Sequence, residues 1–198
     1  MKLILSPHPD DAEYSMSGTI LKYTDTTWFV NTLSGGGDND TTSGASRIDE
    51  SKAFWSSFSN VTHIGLNDAT ISETPEWKLV GDFDQFIPMF DTVYVPPEDD
   101  NHFEHRKINA AARAALRGKP ITLIEYYTPS TRHTWQPNLF VDVTEQLDEK
   151  FTRMKTFESQ SDRFYFDDKN LDIFHEDYFC RLRGLCKVEK FKVEYMFS

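Results

Sequence analysis

Lys2-Leu3-Ile4-Leu5-Ser6-Pro7-His8-Pro9-Asp10-Asp11-Ala12-Glu13 opens the chain, and its reading decides the fold. Residues 2–5 are a short, mostly aliphatic run with the pattern of a buried strand. A rigid, charged turn follows, and residues 13–23 read as a helix. In open α/β sheets, ligands bind outside the carboxyl ends of strands, which is where Ser6–Glu13 falls.

Outward from this unit, short β-type runs alternate with amphipathic stretches. Residues 27–33 read as a second strand, then 34–46 as a polar surface loop holding Gly35-Gly36-Gly37 and Asp38-Asn39-Asp40. Ser46 and Asp49 make a capping-box-like start for a helix carrying Ile48, Phe54, Trp55 and Phe58. Residues 61–64, 92–95 and 121–126 are further strands. Trp77, Val80, Phe83, Ile87 and Phe90 fall on one face of a helix over 76–90. The clearest helix covers 104–117, with Gly118 as its stop. Thr144 caps a helix that buries Leu147, Phe151, Met154 and Phe157, and 185–197 ends the chain as a strand or hairpin. The alternation predicts an α/β fold: a Rossmann-like, mostly parallel sheet flanked by helices, in a single domain over 1–198.

The turn after the first strand carries chemistry. Pro7 and Pro9 fix φ on either side of His8 and stiffen the loop. Two adjacent carboxylates in a rigid turn repel, and desolvating either is unfavourable. A divalent cation resolves that conflict, with His8 and Asp11 reaching one ion and Asp10 staying free. An exposed acidic turn or helix cap is the alternative. A second cluster, Glu98-Asp99-Asp100-Asn101-His102-Phe103-Glu104-His105, follows the strand at 92–95. His102 and His105, three apart at a helix start, share a face. If this strand adjoins the first, His105 supplies a third ligand, and two His plus one carboxylate with an open position is a catalytic metal pattern. His102 then lies beside the metal without binding it. The competing reading is a polar helix N-terminus whose acids serve the macrodipole.

Composition narrows the partners. Lys plus Arg number 21 against 32 Asp plus Glu, a formal net charge of −11. That argues against non-specific nucleic-acid binding, which needs clustered cations, and leaves a sugar-modified nucleotide open as substrate. No apolar run is long enough to span a membrane, and the few residues before Pro7 are too short for a signal peptide, so a cytoplasmic location is expected. Cys180 and Cys186 read as reduced thiols. Aromatic residues make up 14% of the chain and would suit either a core or the interface of a homo-oligomer. Gly35-Gly36-Gly37 lacks the Gly-Lys-Ser/Thr of a phosphate cradle.

Pro7-His8-Pro9-Asp10-Asp11-Ala12-Glu13 with Ser17-Gly18-Thr19-Ile20, and His102-Phe103-Glu104-His105-Arg106, resemble the two motifs of the PIG-L/LmbE-type zinc-dependent de-N-acetylases. Ser17 departs from the usual second glycine. Fainter echoes are collinear along the chain: Arg47-Ile48-Asp49-Glu50, Asp68, Pro137–Val143, Lys150, Ser159-Gln160 and Val188-Glu189-Lys190-Phe191. The resemblance implies His8, Asp11 and His105 as metal ligands, Asp10 as general base and His102 as the group stabilising the oxyanion. It points to Arg47 and Arg132 near the substrate, and Asp68 is placed to accept hydrogen bonds from sugar hydroxyls or to shape a turn. The implied activity is a Zn²⁺-dependent hydrolase, another divalent metal being open, that removes acetyl from an N-acetylglucosamine-type conjugate through a metal-activated water with an Asp base. The alternatives are hydrolysis of another amide conjugate, or a binding protein with a vestigial metal site.

Overall fold

The computed structural model describes residues 1–35, 41–65 and 70–197, with the backbone alone at 41–45. The strands are β1 (Lys2–Ser6), β2 (Trp28–Thr32), β3 (Val61–Gly65), β4 (Thr92–Val95), β5 (Thr122–Tyr126), β6 (Leu139–Asp142) and β7 (Val188–Tyr195). They form a seven-stranded sheet in the order β3-β2-β1-β4-β5-β7-β6. β3, β2, β1, β4 and β5 run parallel, and β7 is antiparallel to both β5 and β6. The α/β fold expected from the alternating pattern is the one observed. The C-terminal segment is one strand, inserted between β5 and β6, rather than a hairpin.

Burial explains the strand sequences. Leu3, Ile4 and Leu5 are all fully buried, because helices cover both faces of the sheet. Side chains alternate between faces, so Ile4 joins one apolar cluster while Leu3 and Leu5 join the other. The first cluster is aromatic, with Tyr14 of α1 (Asp11–Lys22), Phe54 and Trp55 of α2 (Thr41–Ser56), and Phe191. The second takes Phe83 of α3 (Glu76–Phe86) and the small face Ala111, Ala112 and Ala115 of α4 (Phe103–Leu116).

A buried polar cluster fastens α1 to the sheet. Glu189 of β7 accepts from Gly18 N at 2.9 Å and Thr19 N at 2.6 Å. Lys150, on α5 (Leu147–Met154), donates to Glu189 Oε1 at 2.6 Å and Tyr14 O at 2.5 Å. A Cβ on Gly18 would lie 2.9 Å from Glu189 Oε1 and 3.1 Å from Val143, so only glycine allows this approach.

Some boundaries differ from expectation. Pro88 lacks an N–H and ends α3 at Phe86, leaving a 3₁₀ turn over Ile87–Met89 instead of a helix to residue 90. α2 begins at Thr41, inside the stretch read as loop, because propensity there is a weak guide beside tertiary packing. β6 has four residues and, among the described residues, pairs with β7 alone, so nothing local marks it as a strand.

What positions the site is the reversal of strand order. The chain steps from β1 to β2 and β3 on one side, then returns through β4 and β5 on the other. β1 and β4 are therefore parallel neighbours whose carboxyl ends lie side by side, the crevice where open α/β sheets bind ligands.

Candidate active site

The β1–α1 turn is built by its own side chains. Ser6 Oγ donates to His8 O at 2.8 Å and accepts from Ala12 N at 3.2 Å. His8 N donates to Asp11 Oδ2 at 2.9 Å. Asp10 has φ 95°, and among the described residues no other non-glycine has positive φ. Such a backbone persists only where the surroundings over-determine it. Glu13 Oε2 accepts from Asp10 N at 3.1 Å, and Arg47 Nη2 lies 3.0 Å from Asp10 Oδ1. The second Asp10 oxygen, Oδ2, is buried without a hydrogen-bond partner.

The β4–α4 segment supplies the opposing half. Asp100, fully buried, accepts from His102 N at 2.7 Å and from Thr128 Oγ1 at 2.7 Å. Its Oδ2 also faces His105 Nδ1 at 3.1 Å, which turns the other ring nitrogen, Nε2, towards Asp11 Oδ2 at 3.1 Å. His8 Nδ1 is 3.2 Å from that same Asp11 oxygen. His8 Nε2 meets Glu104 Oε2 at 2.5 Å, and Ser72 N holds the other Glu104 oxygen at 2.8 Å. Nitrogens of His8, His102 and His105 lie within 4.8 Å of one another. The His102 ring stacks on Phe103 with centroids 5.7 Å apart, and its Nδ1 is buried without a partner.

His8, Asp10, Asp11, His102, Glu104 and His105 line a cavity of about 460 Å³ together with Arg47 and Tyr165. Their electrostatics reflect burial set against mutual pairing. Burial would lower the His8 pKa, but Asp11 and Glu104 outweigh it and carry it to about 9. Burial opposes the charged form of His105 likewise, and Asp11 with Asp100 brings it to about 10. Asp10 is pushed up by burial to about 6, with Arg47 opposing the rise. Asp11 behaves oppositely, because the His105 and His8 cations override its burial and hold it well below the usual carboxylate range. Glu13 is raised by burial to about 8 against the hydrogen bond from Ser51.

A family model described as GlcNAc-PI de-N-acetylase, PIG-L, matches residues 3–116, which include every residue of the cluster from His8 to His105. The chain belongs to the PIG-L family. Solved structures with the same fold as this PIG-L chain include the N,N'-diacetylchitobiose deacetylase of Pyrococcus horikoshii, with TM-score 0.79 and 20% identity over 97% of this chain and 82% of that one. The conserved protein TT1542 of Thermus thermophilus has TM-score 0.73 and 19% identity over 100% of this chain and 96% of that one. The teicoplanin deacetylase Orf2, solved in a zinc-inhibited form, has TM-score 0.72 and 16% identity over 97% of each chain. No curated protein matches the sequence.

The donor set of this PIG-L site suits a divalent cation. Asp11 Oδ2 stands within 3.2 Å of a nitrogen on both His8 and His105, and Asp100 backs His105 as outer-shell carboxylates back metal-binding imidazoles. Two donor sets overlap: His8, Asp11 and His105, expected from sequence, and the three imidazoles His8, His102 and His105. Arg47 lines the cavity but is turned onto Asp10. Arg132 is not among the residues lining the cavity and sits 3.1 Å from Asp99 in a half-exposed ion pair. Asp68 lies outside the described residues. In PIG-L terms, sequence reasoning passed over Asp100, Glu104 and Glu13. Asp100 and Glu104 stand in the acidic run that only the competing reading gives to the helix dipole, and Glu13, within the first motif, is the available signal. No helix among the described residues is long and apolar enough to cross a membrane.

Proposed function

We propose that this PIG-L chain is a metal-dependent deacetylase that removes acetyl from an N-acetylated amino sugar conjugate, with His8, Asp11 and His105 holding Zn²⁺ or another divalent cation. The observation that carries the reading is the division of labour between adjacent acids. Asp11 Oδ2 is shared by two imidazoles, whereas Asp10 keeps Oδ2 without a partner in the same cavity. The carboxylate makes His8, Asp11 and His105 a better-neutralised cation site than three imidazoles, and this leaves His102 for other work.

When bound, such a cation supplies Lewis-acid polarisation and lowers the pKa of a water from ~15.7 to ~7. Asp10 takes the water proton on Oδ2, since Oδ1 is committed to Arg47. Burial raises the Asp10 pKa to about 6 and makes its carboxylate a stronger base than an exposed one. His102 donates to the carbonyl oxygen as negative charge develops there, with its backbone N–H fixed by Asp100. Asp10 or His102 then returns a proton to the departing amine.

The test is acetate release from N-acetylglucosamine glycosides by protein loaded with Zn²⁺, beside the same protein treated with chelator. Release that depends on metal is expected. Absence of release across sugar acetamides, with other amides cleaved, would replace the sugar substrate by another amide on the same scaffold.

A further inference from the structure

Arg47, Ser51 and Trp55 follow one another at spacings of four on α2, so their side chains form one stripe along the helix. All three are buried; Arg47 reaches the turn that carries Asp10, and Ser51 and Trp55 reach Glu13 in the first turn of α1. Arg47 Nη2 pairs with Asp10 Oδ1 at 3.0 Å and donates to Pro9 O at 2.9 Å. Ser51 Oγ and Trp55 Nε1 donate to Glu13 Oε1 at 2.5 Å and 2.8 Å. The other oxygen of that carboxylate, Oε2, accepts from Asp10 N at 3.1 Å.

We propose that this stripe, acting through Glu13, holds the Asp10 base in its working position, making Glu13, Ser51 and Trp55 positioning residues for the reaction. The inference rests on the assignment of Asp10 as base given above. Asp10 needs holding because its φ of 95° is a conformation that side chains other than glycine avoid. Left alone, the residue relaxes towards negative φ, and its carboxylate swings with the backbone. Glu13 blocks this by gripping the Asp10 N–H, and the stripe keeps Glu13 from turning away. Arg47 secures the side chain and the preceding carbonyl from the same helix. The helix itself is anchored, since Phe54, Trp55 and Phe58 are packed in the aromatic core. The base is thus referenced to the protein interior rather than to the surface of the cavity.

Glu13 could instead be a staple between α1 and α2 with no bearing on chemistry, and a conservative variant separates the two. Ser51→Ala deletes one donor with little loss of volume; Trp55→Phe deletes the other and keeps an aromatic ring in the core, at the cost of part of the indole's packing. If the stripe positions Asp10, each lowers kcat by ~10-fold or more, since small misplacements of a reacting group are costly. KM and bound metal stay within about twofold, the split expected when a group acting in the transition state is disturbed. Independently of turnover, hydrogen exchange at the Asp10 amide, read by NMR, speeds up in both variants. A lowered melting temperature with kcat within about twofold of the parent, or unchanged exchange at Asp10, overturns the proposal. If the parent protein releases no acetate, the deacetylase reading fails, and the Asp10 exchange rate alone decides whether the stripe holds the turn.

Discussion

Asp11 Oδ2 and His105 Nε2 lie 3.1 Å apart, one at the start of the first helix and the other in the first turn of α4. Their meeting depends on β1 and β4 being neighbours, and it brings a carboxylate to an imidazole whose far nitrogen is already held by Asp100. In the proposed reading both side chains hold the metal. Asp11→Ala and His105→Ala are each expected to purify with little bound metal and no turnover. Elemental analysis after dialysis against Zn²⁺ checks this, and full occupancy in either variant would remove that residue from the ligand set.

Asp10→Asn has a different signature. The amide keeps the shape and the acceptor facing Arg47 but cannot take a proton. Turnover should fall by ~10²–10⁴, the usual contribution of a positioned general base, with metal content unchanged. A parallel loss of metal would mean that Asp10 is a ligand.

Asp100 touches no reacting group in this scheme and orients His105 from behind. Asp100→Asn should weaken metal affinity by ~10–100-fold, the usual cost of losing an outer-shell carboxylate. Competition with a chromogenic chelator measures it. Unaltered affinity would reduce Asp100 to a cap for the start of α4.

Lys150 and Glu189 form a fully buried ion pair, 2.6 Å apart. Replacing one member leaves the other charge without compensation, so Lys150→Met should destabilise the fold by ~3–5 kcal/mol. Denaturant unfolding gives the figure. A loss below ~1 kcal/mol would show that Glu189 is neutralised without Lys150.

His175 accepts from Lys150 Nζ through Nε2 at 2.9 Å and lies 2.7 Å from Leu171 O through Nδ1, which fits a neutral ring. Burial and the Lys150 cation hold its pKa well below the usual 6.5. The unfolded chain therefore binds a proton that the folded one refuses as pH falls below about 6.5, and stability drops across that window. His175→Gln should flatten the decline by about 1.4 kcal/mol per pH unit at most. His63, lowered by burial to about 4, contributes with the same sign in both proteins, so the difference isolates His175. Melting temperatures from pH 7.5 to 5, on the scale set by the unperturbed imidazole, supply the comparison. Parallel curves would mean that His175 binds its proton in the fold as readily as in the unfolded chain.

Much of this molecule is legible in its sequence. Residues 2–5, 92–95 and 104–117 carry apolar runs and stop signals strong enough to locate β1, β4 and α4 within a residue or two. Local strength was missing elsewhere. β6 pairs with β7, from a distant part of the chain, and the start of α2 shows none of the apolar spacing that marks a helix. His8, Asp10, Asp11, His102 and His105 stood out because titratable groups crowded into rigid turns are costly without a partner. Asp100, Glu104 and Glu13 did not, since Thr128, which donates to Asp100, and His8, which meets Glu104, lie far off in sequence, and the donors to Glu13 lie on another helix.

Chain order alone thus defined the types of element and the chemistry available at two strand ends, both of which depend on near neighbours. It left open which strand adjoins which, the φ of Asp10, the turning of Arg47 onto Asp10, and the placement of Arg132 in a surface pair with Asp99. Those outcomes depend on packing between segments remote in sequence, where burial and competition for hydrogen-bond partners set the geometry, and no local pattern encodes that competition.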